Sequence, residues 1–390
     1  MSVRRFAPPA VALTMAATET STTQIFAQIQ AQVHGALNEK VKQGKAPVKF
    51  VEIVKGFLDE YATTAIEAGL SPDTFKYQVQ SLLKFVQDAM ENPFKFEPGM
   101  HHSIRQPFDY YKWGNDFMRP LIIMDKSRLV GLENAKRMIE LINKGDNVII
   151  LANHQTECDP QAISILLERE GLGEFAEKMI YIAGHKVTTD PIAIPFSMGR
   201  NLICIHSKKH IKNPPEEFPK KQAENMESMK SMGALINEGG KVIWLAPSGG
   251  RDRPDATGNF GMMIYNCFFL LMSIVANEYS YTICMLLLLL VVAPFDYKSL
   301  DMFKLMAMQS GKPLHFFPMA MYTHKLVPPP NEAATAALGE TRSAKRGPVS
   351  VHFLDETDGL GGLKDKEFSA ALQKSVEDSY SALCAWHDAN

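Results

Sequence analysis

The chain has 390 residues, 46% of them hydrophobic, which is enough for one large α/β domain, a smaller companion and a sizeable core. Its 41 basic and 43 acidic side chains leave a formal charge of −2, which argues against a general nucleic-acid binder. Any anionic ligand must be held by a local basic patch. The five cysteines (Cys158, Cys204, Cys267, Cys284, Cys384) are scattered, with no CxxC pair and no Cys/His cluster at zinc spacing. That usage reads as a reducing compartment and no structural metal.

Residues 1–20 carry Arg4 and Arg5, several Ala and Thr, and no acidic residue before Glu19. This composition fits an organelle transit segment or an unstructured terminus. It does not fit a secretory signal, because no long apolar region follows the arginines. Residues 21–97 read as a small helical bundle, with apolar residues at three- and four-residue steps over Ile25–Lys45, Pro47–Ala68 and Asp73–Met90. Ser71-Pro72-Asp73 marks a helix start.

From residue 98 to 390 short apolar runs alternate with helical stretches. Candidate strands are Asn147–Leu151, Met179–Ala183, Leu202–His206, Val242–Ala246, Leu314–Met321 and Val349–Phe353. Candidate helices are Asn134–Lys144, Gln161–Arg169, Ala223–Asn237 and Glu367–Trp386. The alternation predicts an α/β fold: a mainly parallel, mixed sheet flanked by helices.

Residues 258–292 break this rhythm. They are strongly apolar, with Glu278 the one formal charge, yet Asn277-Glu278-Tyr279-Ser280-Tyr281 divides them into halves too short to span a bilayer. An apolar insertion of this kind is an aggregation liability. Its ends allow splice-site codons, at Gly258-Asn259 and Val292-Ala293, and its leucine run is what a pyrimidine tract would encode. Translated intron sequence is therefore the preferred reading, and a transcript compared with genomic DNA tests it.

The most informative stretch is Asn153-His154-Gln155-Thr156-Glu157-Cys158-Asp159-Pro160, directly after the apolar run Val148–Leu151. Asp159-Pro160 reads as a helix start, with Asp159 as N-cap. His154 then stands at the carboxyl end of a strand, where open α/β sheets bind ligands. An imidazole there can take a proton from a hydroxyl, and a nearby carboxylate can orient it and stabilise its charged form. The plain alternative is a capping aspartate beside an ordinary loop histidine.

Two further strand ends carry charge. Lys208-Lys209-His210 follows Leu202–His206, and Arg251-Asp252-Arg253 follows the turn Pro247-Ser248-Gly249-Gly250. Arginines at i and i+2 of extended chain point to one side, and each can grip a phosphate with two hydrogen bonds. There is no Walker loop. Phe317-Pro318-Met319-Ala320-Met321 either lines an acyl-chain groove or is core.

With these pieces in one order along the chain, it resembles the soluble plastid glycerol-3-phosphate acyltransferases. The resemblance rests on His154-x4-Asp159, on Gln106-Pro-Phe-Asp-Tyr-Tyr and Arg119-Pro-Leu-Ile, and on Pro195-Phe-Ser-Met-Gly-Arg-Asn-Leu-Ile-Cys with Ser207-Lys-Lys-His. It continues through Ala246-Pro-Ser-Gly-Gly-Arg-Asp-Arg-Pro and Ala293-Pro-Phe-Asp, and covers roughly residues 45–390 apart from the insertion.

The resemblance implies a helical amino-terminal domain beside a larger α/β domain. It implies transfer of a fatty acyl group from acyl carrier protein, or coenzyme A, to the sn-1 hydroxyl of glycerol 3-phosphate in the plastid stroma, the first step of glycerolipid synthesis. His154 matches the catalytic base and Asp159 its partner. Lys209, His210, Arg251 and Arg253 match the positions that hold the substrate phosphate. No metal or organic cofactor is implied beyond the carrier's own pantetheine arm. The resemblance leaves room for peripheral contact with a membrane. An acidic carrier would dock on a basic face, for which Lys208, Lys212, Lys220 and Lys221 are candidates. Cys158 stands where the family often has a small residue and reads as an apolar filler, not a nucleophile.

Overall fold

A computed structural model describes residues 9–207, 211–252, 295–329, 341–357 and 365–390. Helix α1 (Pro9–Lys42) is followed by α2 (Val48–Glu67) and α3 (Pro72–Glu91). Next come β1 (Met100–His101), α4 (Tyr110–Met118), β2 (Arg128–Val130), α5 (Leu132–Asn143), β3 (Asn147–Ala152) and α6 (Asp159–Arg169). The chain continues with α7 (Gly173–Lys178), β4 (Ile180–Gly184), α8 (Ile194–Met198), β5 (Asn201–Ile205), α9 (Phe218–Glu238) and β6 (Val242–Leu245). It ends with α10 (Tyr297–Ser310), β7 (Leu314–Tyr322), β8 (Ser350–Phe353) and α11 (Asp365–Ala389).

The described strands form one sheet of eight, in the order β1-β5-β4-β6-β3-β7-β8-β2. Strands β5, β4, β6, β3 and β7 run parallel to their neighbours, whereas β1 and β8 pair antiparallel with β5 and β7. The fold is therefore α/β with a mixed, mainly parallel sheet, as the alternation of apolar runs predicts. Strand β3 lies at its centre and is buried along its whole length. Val148, Ile150 and Ala152 join the apolar cluster on one face, and Ile149 and Leu151 the cluster on the other. A strand covered on both faces needs an unbroken apolar run, and Val148–Leu151 supplies one.

The amino-terminal helices share the first of these clusters, which runs without interruption from Phe26 to Phe353. Tyr61 of α2 is fully buried, stacks on Phe117 of α4 with ring centroids 4.3 Å apart, and directs its hydroxyl at the Phe117 carbonyl, 2.9 Å away. Thr64 Oγ donates to the Ala344 carbonyl at 2.9 Å. The helical segment is thus fastened to the α/β part by core packing as well as by chain connection. Helix α1 begins at Pro9, inside the leading segment expected to be a transit peptide or unstructured. The alanine-rich stretch Ala10–Ala17 favours the helical backbone.

Ser71 caps α3 by accepting from Thr74 N, with Pro72 in the first turn, as its sequence predicts. The start of α6 differs from expectation. Cys158 occupies the N-cap position, makes no side-chain cap, and Asp159 is already helical. The Asp159 carboxylate is committed elsewhere, to His154, Gln155 and Thr323, so it is not available to cap its own helix. The segment Phe317–Met321 is core: Phe317, Met319, Ala320 and Met321 are fully buried in β7. The apolar insertion 258–292 lies outside the described residues. Among those described, no helix is long and apolar enough to cross a membrane.

Candidate active site

Because β4, β5, β6, β3 and β7 are parallel, the segments that leave their carboxyl ends emerge at one edge of the sheet. This is the crevice where ligands bind in open α/β folds. Residues 153–158 leave β3 there, residues 246–252 leave β6, and Thr323 leaves β7.

Asn153 anchors the first of these loops. It is fully buried, accepts from Met321 N at 2.7 Å and donates to the Met321 carbonyl at 3.0 Å, extending the β3–β7 ladder with a side chain. Gln155, also fully buried, accepts from Thr323 N at 2.8 Å. Thr156 donates to the Val327 carbonyl at 2.7 Å. The backbone between these anchors is therefore fixed, and His154 projects from it with a quarter of its side chain exposed.

His154 Nδ1 lies 2.7 Å from Asp159 Oδ2. Asp159 is fully buried; Oδ2 also accepts from Gln155 N at 2.9 Å, and Oδ1 accepts from Thr323 Oγ at 2.6 Å. These three donors match an ionised carboxylate, which is an acceptor only. A carboxylate on Nδ1 sets the tautomer with its proton there, leaving the Nε2 lone pair to receive a proton. The indole of Trp244, at 5.6 Å and nearly perpendicular, flanks the ring.

The second loop is tied to the first through the main chain, since Asp252 N donates to the His154 carbonyl. This bond brings Arg251 beside the histidine-bearing loop. The turn before it uses Gly249 at φ +69°, a conformation that favours glycine, and Ser248 Oγ donates to the Gly250 carbonyl at 3.0 Å. Arg251 Nη1 lies 3.4 Å from Glu157 Oε1, with 12% of its side chain exposed. His154 and Asp159 are thus paired, and Arg251 stands next in chain to the Asp252 main-chain bond with His154. Lys209, His210 and Arg253 lie outside the described residues.

Glu157, Arg342 and Asp190 form a charged group that no local pattern in the sequence announces. Arg342 grips Glu157 with Nε at 2.6 Å and Nη2 at 3.1 Å, and Asp190 with Nη2 at 3.0 Å. Arg342 and Asp190 are both 6% exposed. Burial by itself would raise the Glu157 carboxyl, but Arg342, Arg251 and, more weakly, Lys186 outweigh it and hold it down to about 2. The position of Glu157 inside the His-x4-Asp stretch is the one signal that could have drawn attention to it.

Cys158 is buried, its Sγ 3.5 Å from Met118 Sδ, and burial pushes its thiol well above the ordinary range. It is an apolar filler. Of the basic residues considered for carrier docking, Lys212 is exposed, and Lys220 has 78% of its side chain exposed. Lys221 is 13% exposed and is tied to Glu217 at 2.9 Å, so it offers little free charge. Lys208 lies outside the described residues.

A family model described as Acyltransferase matches residues 127–284. The chloroplastic glycerol-3-phosphate acyltransferase of Spinacia oleracea is 34% identical over 352 residues, covering 88% of this chain and 68% of that protein. The chloroplastic glycerol-3-phosphate acyltransferase of Pisum sativum is 34% identical over 383 residues, covering 96% and 77%. Among solved structures, the 1-acyl-sn-glycerophosphate acyltransferase of Thermotoga maritima matches 86% of this chain and 94% of its own, at 15% identity and a TM-score of 0.36.

Proposed function

The chain belongs to the glycerol-3-phosphate acyltransferase family of its chloroplastic relatives, and from that membership we propose that it acylates the sn-1 hydroxyl of glycerol 3-phosphate from acyl carrier protein in the plastid stroma. The observation that carries this reading is the His154–Asp159 pair, 2.7 Å apart, with Arg251 brought alongside by the Asp252–His154 main-chain bond.

The substrate phosphate rests on Arg251, joined by Arg253, Lys209 and His210. This leaves the sn-1 hydroxyl beside His154 Nε2. The imidazole takes the hydroxyl proton as oxygen attacks the thioester carbonyl. Asp159 holds the ring and stabilises the imidazolium. The tetrahedral intermediate collapses, the pantetheine sulfur leaves, and His154 returns the proton to it. No covalent enzyme intermediate is required, and no metal or organic cofactor beyond the carrier's pantetheine. General base catalysis contributes about 10²–10⁴ in rate, with much of the rest from positioning by the phosphate clamp. Lys212 and Lys220 offer basic contacts to the acidic carrier.

The test is an assay of the purified chain with acyl carrier protein and coenzyme A thioesters against two acceptors, glycerol 3-phosphate and lysophosphatidate. Product at sn-1 of glycerol 3-phosphate, with the carrier thioester preferred, is expected. Turnover of lysophosphatidate alone would overturn the acceptor assignment. Equal use of the two thioesters would overturn the donor assignment.

A further inference from the structure

Acyl transfer as described uses the ends of β3 and β6 and, through Lys209 and His210, the chain beyond β5. Along the same edge, the ends of β4 and β5 bring together three side chains for which that chemistry has no role. His185 directly follows β4, His206 directly follows β5, and Glu224 stands on α9. The imidazoles of His185 and His206 lie face to face, centroids 3.5 Å apart and 6° from parallel. His206 Nε2 is 2.6 Å from Glu224 Oε2. One ligand atom from each of the three lies within 4.8 Å of the others.

The surroundings hold these groups in place. Asn225, next to Glu224, accepts from His206 N at 2.8 Å and donates to the His206 carbonyl at 3.0 Å. Ser228, one turn further along α9, donates to the Cys204 carbonyl at 2.8 Å. Thr188 Oγ donates to the His185 carbonyl at 2.8 Å. The side chains of His206 and Glu224 are 14% and 25% exposed. Among the described residues, His185 Nε2 is buried with no hydrogen-bond partner, which costs about 1–3 kcal/mol for a polar atom unless something fills the position. Lys220 approaches Glu224 to 4.0 Å, but it is mostly exposed and can swing into solvent.

We propose that His185, His206 and Glu224 form a binding site for a divalent transition-metal ion of the zinc class, with one coordination position left to water or an anion. Two imidazoles and a carboxylate are a donor set that suits this ion. Zinc–nitrogen bonds of about 2.1 Å put neighbouring donors about 3.4 Å apart in a tetrahedron. The three ligand atoms therefore need to close by at most about 1.4 Å from the 4.8 Å limit. The two rings must turn out of their parallel stack to do so. An ion there would join the ends of β4 and β5 to α9 and stabilise that edge of the sheet. The linear sequence does not register this group, because its members are separated by 21 and 18 residues.

The test uses the full chain without an affinity tag, stripped with a chelator and titrated with zinc chloride by calorimetry. Metal content is measured after gel filtration. One zinc per chain is expected, with a rise in melting temperature. His206→Ala, Glu224→Gln and His185→Asn should each weaken binding at least tenfold and remove that rise. Should His206→Ala fail to fold, Glu224→Gln keeps the side-chain shape and carries the same test. Cobalt absorption bands of a four-coordinate nitrogen–oxygen site should appear in the wild type and vanish in the variants. No stoichiometric uptake by the wild type, or equal uptake by folded variants, would overturn the proposal.

Discussion

Replacing Asp159 with asparagine isolates the electrostatic part of the proposed chemistry. The carboxylate accepts from His154 Nδ1, Gln155 N and Thr323 Oγ in a fully buried position. An amide has one oxygen and one NH2 group. With its oxygen towards Gln155 N, the NH2 faces Thr323, whose hydroxyl can turn to accept; the ring keeps its tautomer but loses the negative charge beside it. With the amide reversed, the NH2 donates to Nδ1 and drives the ring proton to Nε2, which then cannot receive the substrate's proton. Charges on the contacting atoms 2.7 Å apart attract by about 6 kcal/mol at an effective dielectric of 20. Spread over ring and carboxyl, to a mean separation of about 4.5 Å, the figure is about 4 kcal/mol. At 1.36 kcal/mol per decade this corresponds to a fall in kcat of roughly 10³. Initial rates with carrier thioester and varied glycerol 3-phosphate should show that fall, with KM changed less than about threefold. Thermal unfolding establishes that the variant is folded. A folded Asp159→Asn enzyme that keeps more than about a tenth of the wild-type kcat would refute the His–Asp mechanism.

Arg251→Ala should raise KM for glycerol 3-phosphate about tenfold or more with a smaller change in kcat, since it removes binding shared by ground and transition states; steady-state kinetics reads this. Arg342→Ala leaves Glu157 and Asp190 without their shared partner and should cost about 3–5 kcal/mol in denaturant unfolding. Glu157 has a folded-state pKa held at about 2 against an ordinary value of 4.5, so the stability it adds is present above pH 4.5 and is lost as pH falls towards 2. Glu157→Gln should therefore cost about 3 kcal/mol near neutral pH and little more than half of that at pH 3.5, measured by denaturant unfolding at both. Removing residues 258–292 should leave acyl transfer and melting temperature intact; loss of either would make that segment part of the working fold.

What the sequence announces here is what short-range pattern can encode. Strand β3 is visible because a strand buried on both faces needs an apolar run, which Val148–Ala152 supplies, and β7 because Phe316–Tyr322 supplies a longer one. Strands β1 and β2 have two and three residues and carry no such run, so nothing local marks them. Helix α4 has only nine residues, too short for its periodicity to stand out, and it places Tyr111, Trp113 and Phe117 in the core. Asp159 next to Pro160 has the pattern of a cap. The tertiary demand of His154 for a carboxylate outweighs that local preference and moves the cap position to Cys158. Arg342 lies 185 residues from Glu157 and 152 from Asp190, and no spacing rule reaches that far.

The two carboxylates of the histidine-bearing loop divide its work. Asp159 faces the imidazole, and Glu157 faces the guanidinium groups of Arg342 and Arg251. Glu157 and Asp190 offset the charges of Arg342 and Arg251, with Lys186 adding a weaker positive influence on Glu157. A phosphate carrying close to two negative charges therefore gains little net attraction from Arg251 alone, and Arg251 is better suited to aim its hydrogen bonds than to supply charge. Glu157 pairs with Arg251 from the same loop that presents His154, so on the proposed function it would help set the distance between phosphate grip and base. On that proposal, the distance would decide which hydroxyl of a three-carbon acceptor meets the imidazole.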